Sequence, residues 1–486
     1  MRSSSLLALL ALPAIVSAQT PVSRGTTLTL DEAIQTAQRN NPALAQIRNG
    51  VRNADAQVRS TYGALLPSAS ANFNTSYTQG GTQYIQGVAL PPNPDSYNSR
   101  YSATLNYNIT AGLLYAPKAA KAQRAASDAD VTSQTENVRA LVTQQYITSL
   151  QSQALAAVLD TLVEVARGQL NLANAKMAAG AGTIIDVRTA EVALGQAQVQ
   201  TLNSHNTARI DKLRLFQFMG VAADVDANLA TTFAIATPTF SLDSLLDLAR
   251  RTNPDVVAKQ SRITAANASV KFTQTQYLPS LSLSTGYGAN AFGYSNSDQL
   301  ATSVAQQTAS SYRNCMTADS IRVGAGLKAL PCGPSSLTES ELDAVRATNQ
   351  PFKFNKAPLS ISAFISIPIF NNFQREQNVE AQRVARDNAV LDLRSRNLQV
   401  TTDVTQAYLT LINDSKTVEL QTQIAAKAAE DLALNEASFR VGAKTFLDVT
   451  TARGMYEKAQ IDRVNSIYEY HKAFAALENA VGRPLR

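Results

Sequence analysis

The chain has 486 residues, with 43 Lys and Arg against 37 Asp and Glu, for a formal net charge of +6. Hydrophobic residues make up 45%, which excludes a disordered chain, but only 6% are aromatic and Trp is absent, so many thin helix contacts are expected rather than one large conventional core. The basic residues are interleaved with Asp, Glu and Gln along helical segments, a pattern of solvated helix faces and not of a nucleic-acid surface.

The opening stretch MRSSSLLALLALPAIVSAQT has one early Arg, an apolar run from Leu6 to Val16 and small residues up to Ala18. It reads as a signal peptide over 1–18, cleaved before Gln19. No Cys follows the cleavage point, which argues against a lipoprotein. Beyond residue 18 no uninterrupted apolar stretch approaches the roughly 18 residues of a spanning helix, so any membrane crossing must use strands.

Leu30 to Leu66 then reads as a helix of about 37 residues, stopped at Pro67. Ser68–Thr78 alternates Ala69, Ala71, Phe73, Thr75 and Tyr77 with Ser68, Ser70, Asn72, Asn74 and Ser76. A period of two is that of a strand. A second strand near 101–110 sets Tyr101, Ala103, Leu105, Tyr107 and Ile109 against Ser102, Thr104, Asn106, Asn108 and Thr110. A long helix runs on to Gly180, followed by a turn and a helix over 183–219.

The whole order is then written again, dividing the mature chain into repeats at 19–239 and 240–486. Asn41-Pro42 and Leu66-Pro67 return as Asn253-Pro254 and Leu278-Pro279, a constant offset of 212 residues. Val142, Tyr146, Gly180 and Asp186 return as Val404, Tyr408, Gly442 and Asp448, at an offset of 262. The second repeat has strands near 280–289 and 359–369, a long helix to 442 and a helix over 445–481. Its extra residues form a loop insertion within 290–357. Each long helical stretch has about 70 residues and, at about 1.5 Å per residue, exceeds any membrane thickness. Val404, Leu411, Val418, Ala425, Leu432 and Phe439 recur every seven residues, which predicts left-handed supercoiling against neighbours.

Cys315 and Cys332 lie in the insertion, and an exported chain meets oxidising conditions, so a local disulfide is expected, with free thiols or a metal site as the alternatives. No His lies near them, which weakens the metal reading. His205 and His471 fall at non-equivalent positions of the repeat, and neither a phosphate-binding Gly loop nor a metal motif is present. The sequence therefore does not read as an enzyme and implies no cofactor.

Short strands with one polar and one apolar face are the signature of an outer-membrane barrel, in which every backbone group must be paired. Four strands cannot close, so other copies of the chain must supply the rest. Counting strands does not choose between two, three and four copies.

The LTLDEAI…NNP opening and its echo, LLP and YLP before strands, SIPIFNN after a strand, and the turns AAGAGTIIDVRTAE and RVGAKTFLDVTTAR together resemble the TolC family of outer-membrane efflux proteins, nearly end to end. The resemblance implies a mainly α fold with a transmembrane β-barrel portion. In it a homotrimer shares a twelve-stranded barrel, continued by a long α-helical periplasmic barrel. It also implies a periplasmic adaptor and an inner-membrane transporter of RND or ABC type as partners, with outer-membrane lipid around the strands and no nucleic acid. The function implied is an exit duct for efflux or type I secretion. A stand-alone porin and a coiled-coil adhesin are the competing readings, and the adhesin would gather its strands at one terminus without duplication.

By the same resemblance, Gly180, Ala181, Gly182, Gly442 and Ala443 are adaptor-docking tips, and Asp186, Lys444, Phe439 and Asp448 occupy periplasmic gate positions. Phe439 stands where a gate Tyr is common and offers no hydroxyl. Asp448 falls in a pore ring of carboxylates that would favour cations, while as an acid in a first helical turn it also suits the helix dipole.

Overall fold

The computed structural model describes residues 27–82, 84–89, 93–224, 226–235 and 240–485. The signal peptide expected over 1–18 lies outside the described residues. In chain order the elements are β1 (Thr27–Leu28), α1 (Leu30–Asn40), α2 (Pro42–Gly63), β2 (Ser68–Thr78), β3 (Tyr84–Ile85), β4 (Val88–Ala89), β5 (Ser96–Thr110), α3 (Gly112–Ala178), α4 (Ile184–Met219) and β6 (Asn228–Leu229). There follow α5 (Leu242–Thr252), α6 (Pro254–Gln274), a 3-10 turn (Thr275–Tyr277), β7 (Ser280–Tyr294), α7 (Ser297–Gly324), α8 (Glu339–Arg346), β8 (Asn355–Lys356), β9 (Ser360–Ser366), α9 (Gln374–Arg440) and α10 (Phe446–Val481).

The chain folds into two compact units. One comprises the described parts of Met1–Val58, Lys118–Val270 and Glu380–Arg486, the other Arg59–Pro117 and Lys271–Val379. The first unit is built of helices, with β1 pairing in parallel with β6. Its heptad positions Val404, Leu411, Val418, Ala425, Leu432 and Phe439 are all buried, as seam positions must be. In the first repeat Val142, Ala156 and Val163 are buried but Met177, near the end of α3, is exposed.

The expected 37-residue opening helix is in fact two. Asn41 is extended, with φ −64° and ψ 122°, and Pro42 supplies the first residue of α2, a position where its missing N–H costs nothing. The Asn41 side chain makes the break useful. Its amide donates to the Phe218 carbonyl at 2.8 Å, and its oxygen accepts from the amides of Ala43 and Leu44. Asn253 repeats this on the Ala480 carbonyl and the amides of Asp255 and Val256. Each junction seats against a helix-ending Gly, Gly220 (φ +74°) or Gly482 (φ +86°). A Cβ at Gly220 would come within 2.5 Å of the Asn40 carbonyl oxygen.

Two cores follow from these junctions. Leu44, Val142, Tyr146, Leu215 and Met219 fill one, and Val256, Val404, Leu411, Leu477 and Val481 fill the other. Tyr146 donates its hydroxyl to the Leu28 carbonyl at 2.7 Å, and Tyr408 donates to Phe240 at 3.3 Å. The donor pairs lie 262 residues apart and the acceptors 212, as from Tyr146 to Tyr408 and from Leu28 to Phe240.

The second unit holds an antiparallel sheet in the order β2-β5-β7-β9, with β8 also paired to β7. The strands differ from their expected bounds. β5 begins at Ser96 and β7 runs on to Tyr294, whereas β9 stops at Ser366. Ile367 and Ile369 therefore leave the strand, next to Pro368, which cannot donate to a ladder. The insertion is not a plain loop either. It contains the 28-residue helix α7 and the short α8, whose Arg346 pairs with Asp298 at 2.8 Å and Asp343 at 2.6 Å. Cys315 on α7 is joined to Cys332 by a disulfide.

Candidate channel wall and hairpin tips

Register decides what the sheet can do, because residues paired across strands share a face. Ala71 faces Ala103, Ala103 faces Tyr287, Leu283 faces Ala363 and Leu281 faces Ile365. Ser70 likewise faces Thr104, Thr104 faces Gly286, and Ser284 faces Ser362. The alternation of each strand thus becomes two continuous surfaces across all four. The polar surface is laced by side chains, with Ser70 to Thr104 at 2.8 Å, Ser282 to Asn108 at 3.1 Å and Ser284 to Ser362 at 2.6 Å. The apolar surface is bare over much of its extent. Phe73, Leu105, Tyr287, Ile361 and Ile365 are exposed in the isolated protomer. β2 and β9 are both edge strands, each with one row of backbone groups unpaired in the sheet. A sheet with one polar face, one apolar face and two edges unpaired among the described residues has the features that a segment of a barrel wall requires.

In the helical unit, the two tight turns are built alike. Gly180 (φ +73°) and Gly442 (φ +77°) end α3 and α9 in the left-handed conformation that Gly adopts freely. The amide of Ala181 reaches back to Lys176 at 2.9 Å and that of Ala443 to Ser438 at 2.9 Å, which closes both helix ends. Next, Thr183 and Thr445 cap α4 and α10. The carboxylate of Asp186 accepts from the Thr183 amide and hydroxyl at 3.0 and 2.8 Å, and that of Asp448 from Thr445 at 2.9 and 2.7 Å. The Thr445 hydroxyl, then its amide, holds the Asp448 carboxyl below its ordinary value, with a smaller contribution from Lys444.

The gate residues inferred from resemblance lie around one buried cluster, in which Phe439 packs with Val187 and Val449, the neighbours of Asp186 and Asp448, but within the protomer they form no bonded network. Asp186 and Asp448 are engaged in their own capping boxes, and no ion pair joins Asp186 to Lys444 among the described residues. Phe439 is buried, 7% exposed, and stacks on Phe446 with centroids 5.7 Å apart. A cation meets its ring from the other side of the hairpin pair. Lys176 Nζ lies 3.8 Å from the Phe439 ring centroid and donates to the Phe439 carbonyl, tying the end of α3 to that of α9. Gln169 adds a second tie, bonding Glu436 at 3.4 Å and Arg453 at 3.2 Å. Sequence reasoning missed both. The only signal for Lys176 was a base in the last helical turn, where the dipole already favours it.

Among the described residues no helix is long and apolar enough to cross a membrane and no cluster suits a metal ion. A wall of strands joined to helices far longer than a bilayer is thick is the build of an outer-membrane channel subunit. The chain belongs to the outer membrane efflux protein family, whose sequence model matches residues 33–221 and 336–483. The family comprises efflux channels and not enzymes. Pyoverdine export outer membrane protein OpmQ of Pseudomonas putida strain KT2440 is 22% identical over 267 residues, which is 54% of this chain and 57% of the relative's length. The fold matches the outer membrane protein VceC of Vibrio cholerae with a TM-score of 0.67 at 17% identity, over 94% of this chain and 97% of that one. The CmeC outer membrane channel of Campylobacter jejuni matches with a TM-score of 0.69 at 16% identity, over 93% and 85%.

Proposed function

We propose that the protein is the outer-membrane exit duct of a tripartite efflux or type I secretion system, passively conducting substrates delivered by an inner-membrane transporter. The observation that carries this reading is the two-faced sheet with free edges. The polar face lines water, the apolar face meets lipid, and three copies joined edge to edge make a closed twelve-stranded barrel. The mature chain is read as two repeats, 19–239 and 240–486, behind a signal peptide at 1–18. Their long helices form the periplasmic part of the duct, and Gly180, Ala181, Gly182, Gly442 and Ala443 offer the tips to a periplasmic adaptor. Asp186, Lys444, Phe439 and Asp448 form the gate between protomers. The likeness to a pyoverdine export protein supports a small-molecule cargo.

Purified protein reconstituted in planar bilayers is expected to conduct as a trimer, and Asp186→Ala combined with Lys444→Ala to raise that conductance. Channels that stay silent in both forms would remove the gate assignment, and a monomer or dimer in detergent would remove the twelve-stranded barrel.

A further inference from the structure

At the end of the sheet away from its helix connections, burial is one-sided. Ser99, Ala289, Ala291 and Gly293 are buried, while Asn98, Arg100, Asn290 and Phe292, which alternate with them, are exposed. The register puts the buried four on the apolar surface and the exposed four on the polar one. The cover comes from the insertion. Phe354 packs edge-on against Tyr101 at 5.0 Å, with Phe352 6.5 Å beyond it. The Asn349 side chain accepts from the Tyr294 amide and donates to its carbonyl, both at 2.8 Å. A Cβ at Gly293 would lie 2.6 Å from Asn349 Oδ1. The margin of this cover shows two further side chains, Phe352, 61% exposed, and Lys356, exposed and paired with Ala289 on the apolar surface. An aromatic ring beside a cation on a long apolar stem is the combination that settles where hydrocarbon gives way to headgroups.

We propose that the insertion is a clasp on the outside of the wall rather than a plug in the lumen, with Phe352 and Lys356 seated among anionic headgroups of the outer leaflet. This rests on reading the apolar surface as lipid-facing, and the test separates the two. The chain has no Trp, so Leu283→Trp, Phe352→Trp and Phe292→Trp each give a single reporter in reconstituted protein. Leu283→Trp should lose emission to deeply brominated lipid. Phe352→Trp should lose emission to lipid brominated near the headgroup, more from phosphatidylglycerol than from phosphatidylcholine, and Lys356→Gln should abolish that preference. Phe292→Trp should respond only to aqueous acrylamide. If Leu283→Trp is not quenched by lipid, the wall's orientation is wrong. If it is quenched but Phe352→Trp answers only to acrylamide, the clasp is overturned while the duct stands. Equal quenching by the two lipids would remove the anionic headgroups. Reducing Cys315–Cys332 should leave conductance unchanged, and a change would favour a plug.

Discussion

In the helical unit the large apolar side chains are inside: Tyr146, Leu215 and Leu411 are 0% exposed. In the sheet unit they are outside, with Ile361 77% and Ile365 65% exposed. The helices bury their seams against one another and draw stability from within the protomer. The sheet has a surface where a core would be, so in the proposed assembly its stability comes from lipid and from neighbouring copies. One hydrophobic alphabet thus serves two solvents, and the arrangement of residues, not their amount, distinguishes them.

The contrast predicts opposite responses to the same truncation. Leu411→Ala should destabilise the protomer by about 2 to 5 kcal/mol, read as a lowered midpoint of denaturant unfolding, whereas Ile361→Ala should leave protomer folding unchanged. Equal losses would mean that the sheet's apolar face is a hidden core. A charge probes the same face. Ala71→Arg should cost about 2 to 4 kcal/mol near the bilayer midplane and reduce heat-stable trimer on gels, while the adjacent Ser70→Arg assembles and alters conductance. Within the helical unit, Asn41→Ala leaves the Phe218 carbonyl and the amides at the start of α2 short of a partner, for a loss of about 1 to 3 kcal/mol. Asn253→Ala should lose a similar amount, and unequal values would show that the two junctions are not equivalent.

The smallest effect expected is at the tip. The folded-state pKa of Asp448 lies below its ordinary 3.8, so its contribution is present above the unfolded value and lost only as pH falls through the lowered one. Cation selectivity, read as a reversal potential across a salt gradient, should therefore stay flat through mildly acidic pH, and Asp448→Asn should diminish it at every pH above that lowered value. A selectivity that titrates near neutrality would place the controlling charge elsewhere.

Much of this was legible in the sequence because it is periodic. The alternation through Ala69–Tyr77 is strong enough to identify both faces of a strand, and the seven-residue series from Val404 marks a seam without any structure. Asn41 was visible as part of a repeated NNP, but its role was not, since the carbonyl it holds, on Phe218, is far away in sequence. Lys176 was hidden for the same reason, as its partner Phe439 belongs to the other repeat. The insertion defeated pattern reading because α7 is mixed polar and small all round and shows no apolar stripe. Ser366 as the end of β9 was masked by Ile367 and Ile369, which continue the alternation after the ladder has stopped.

The free edges of β2 and β9 also have a genetic consequence. If the sheet closes by borrowing strands, as proposed, every subunit is answerable for its neighbours, and one faulty edge spoils a whole assembly. With three copies per ring and equal expression of normal and edge-defective chains, only about one eighth of rings would be free of a defective subunit. Lesions at these strands should therefore be dominant, whereas core lesions that prevent the protomer from folding should be recessive.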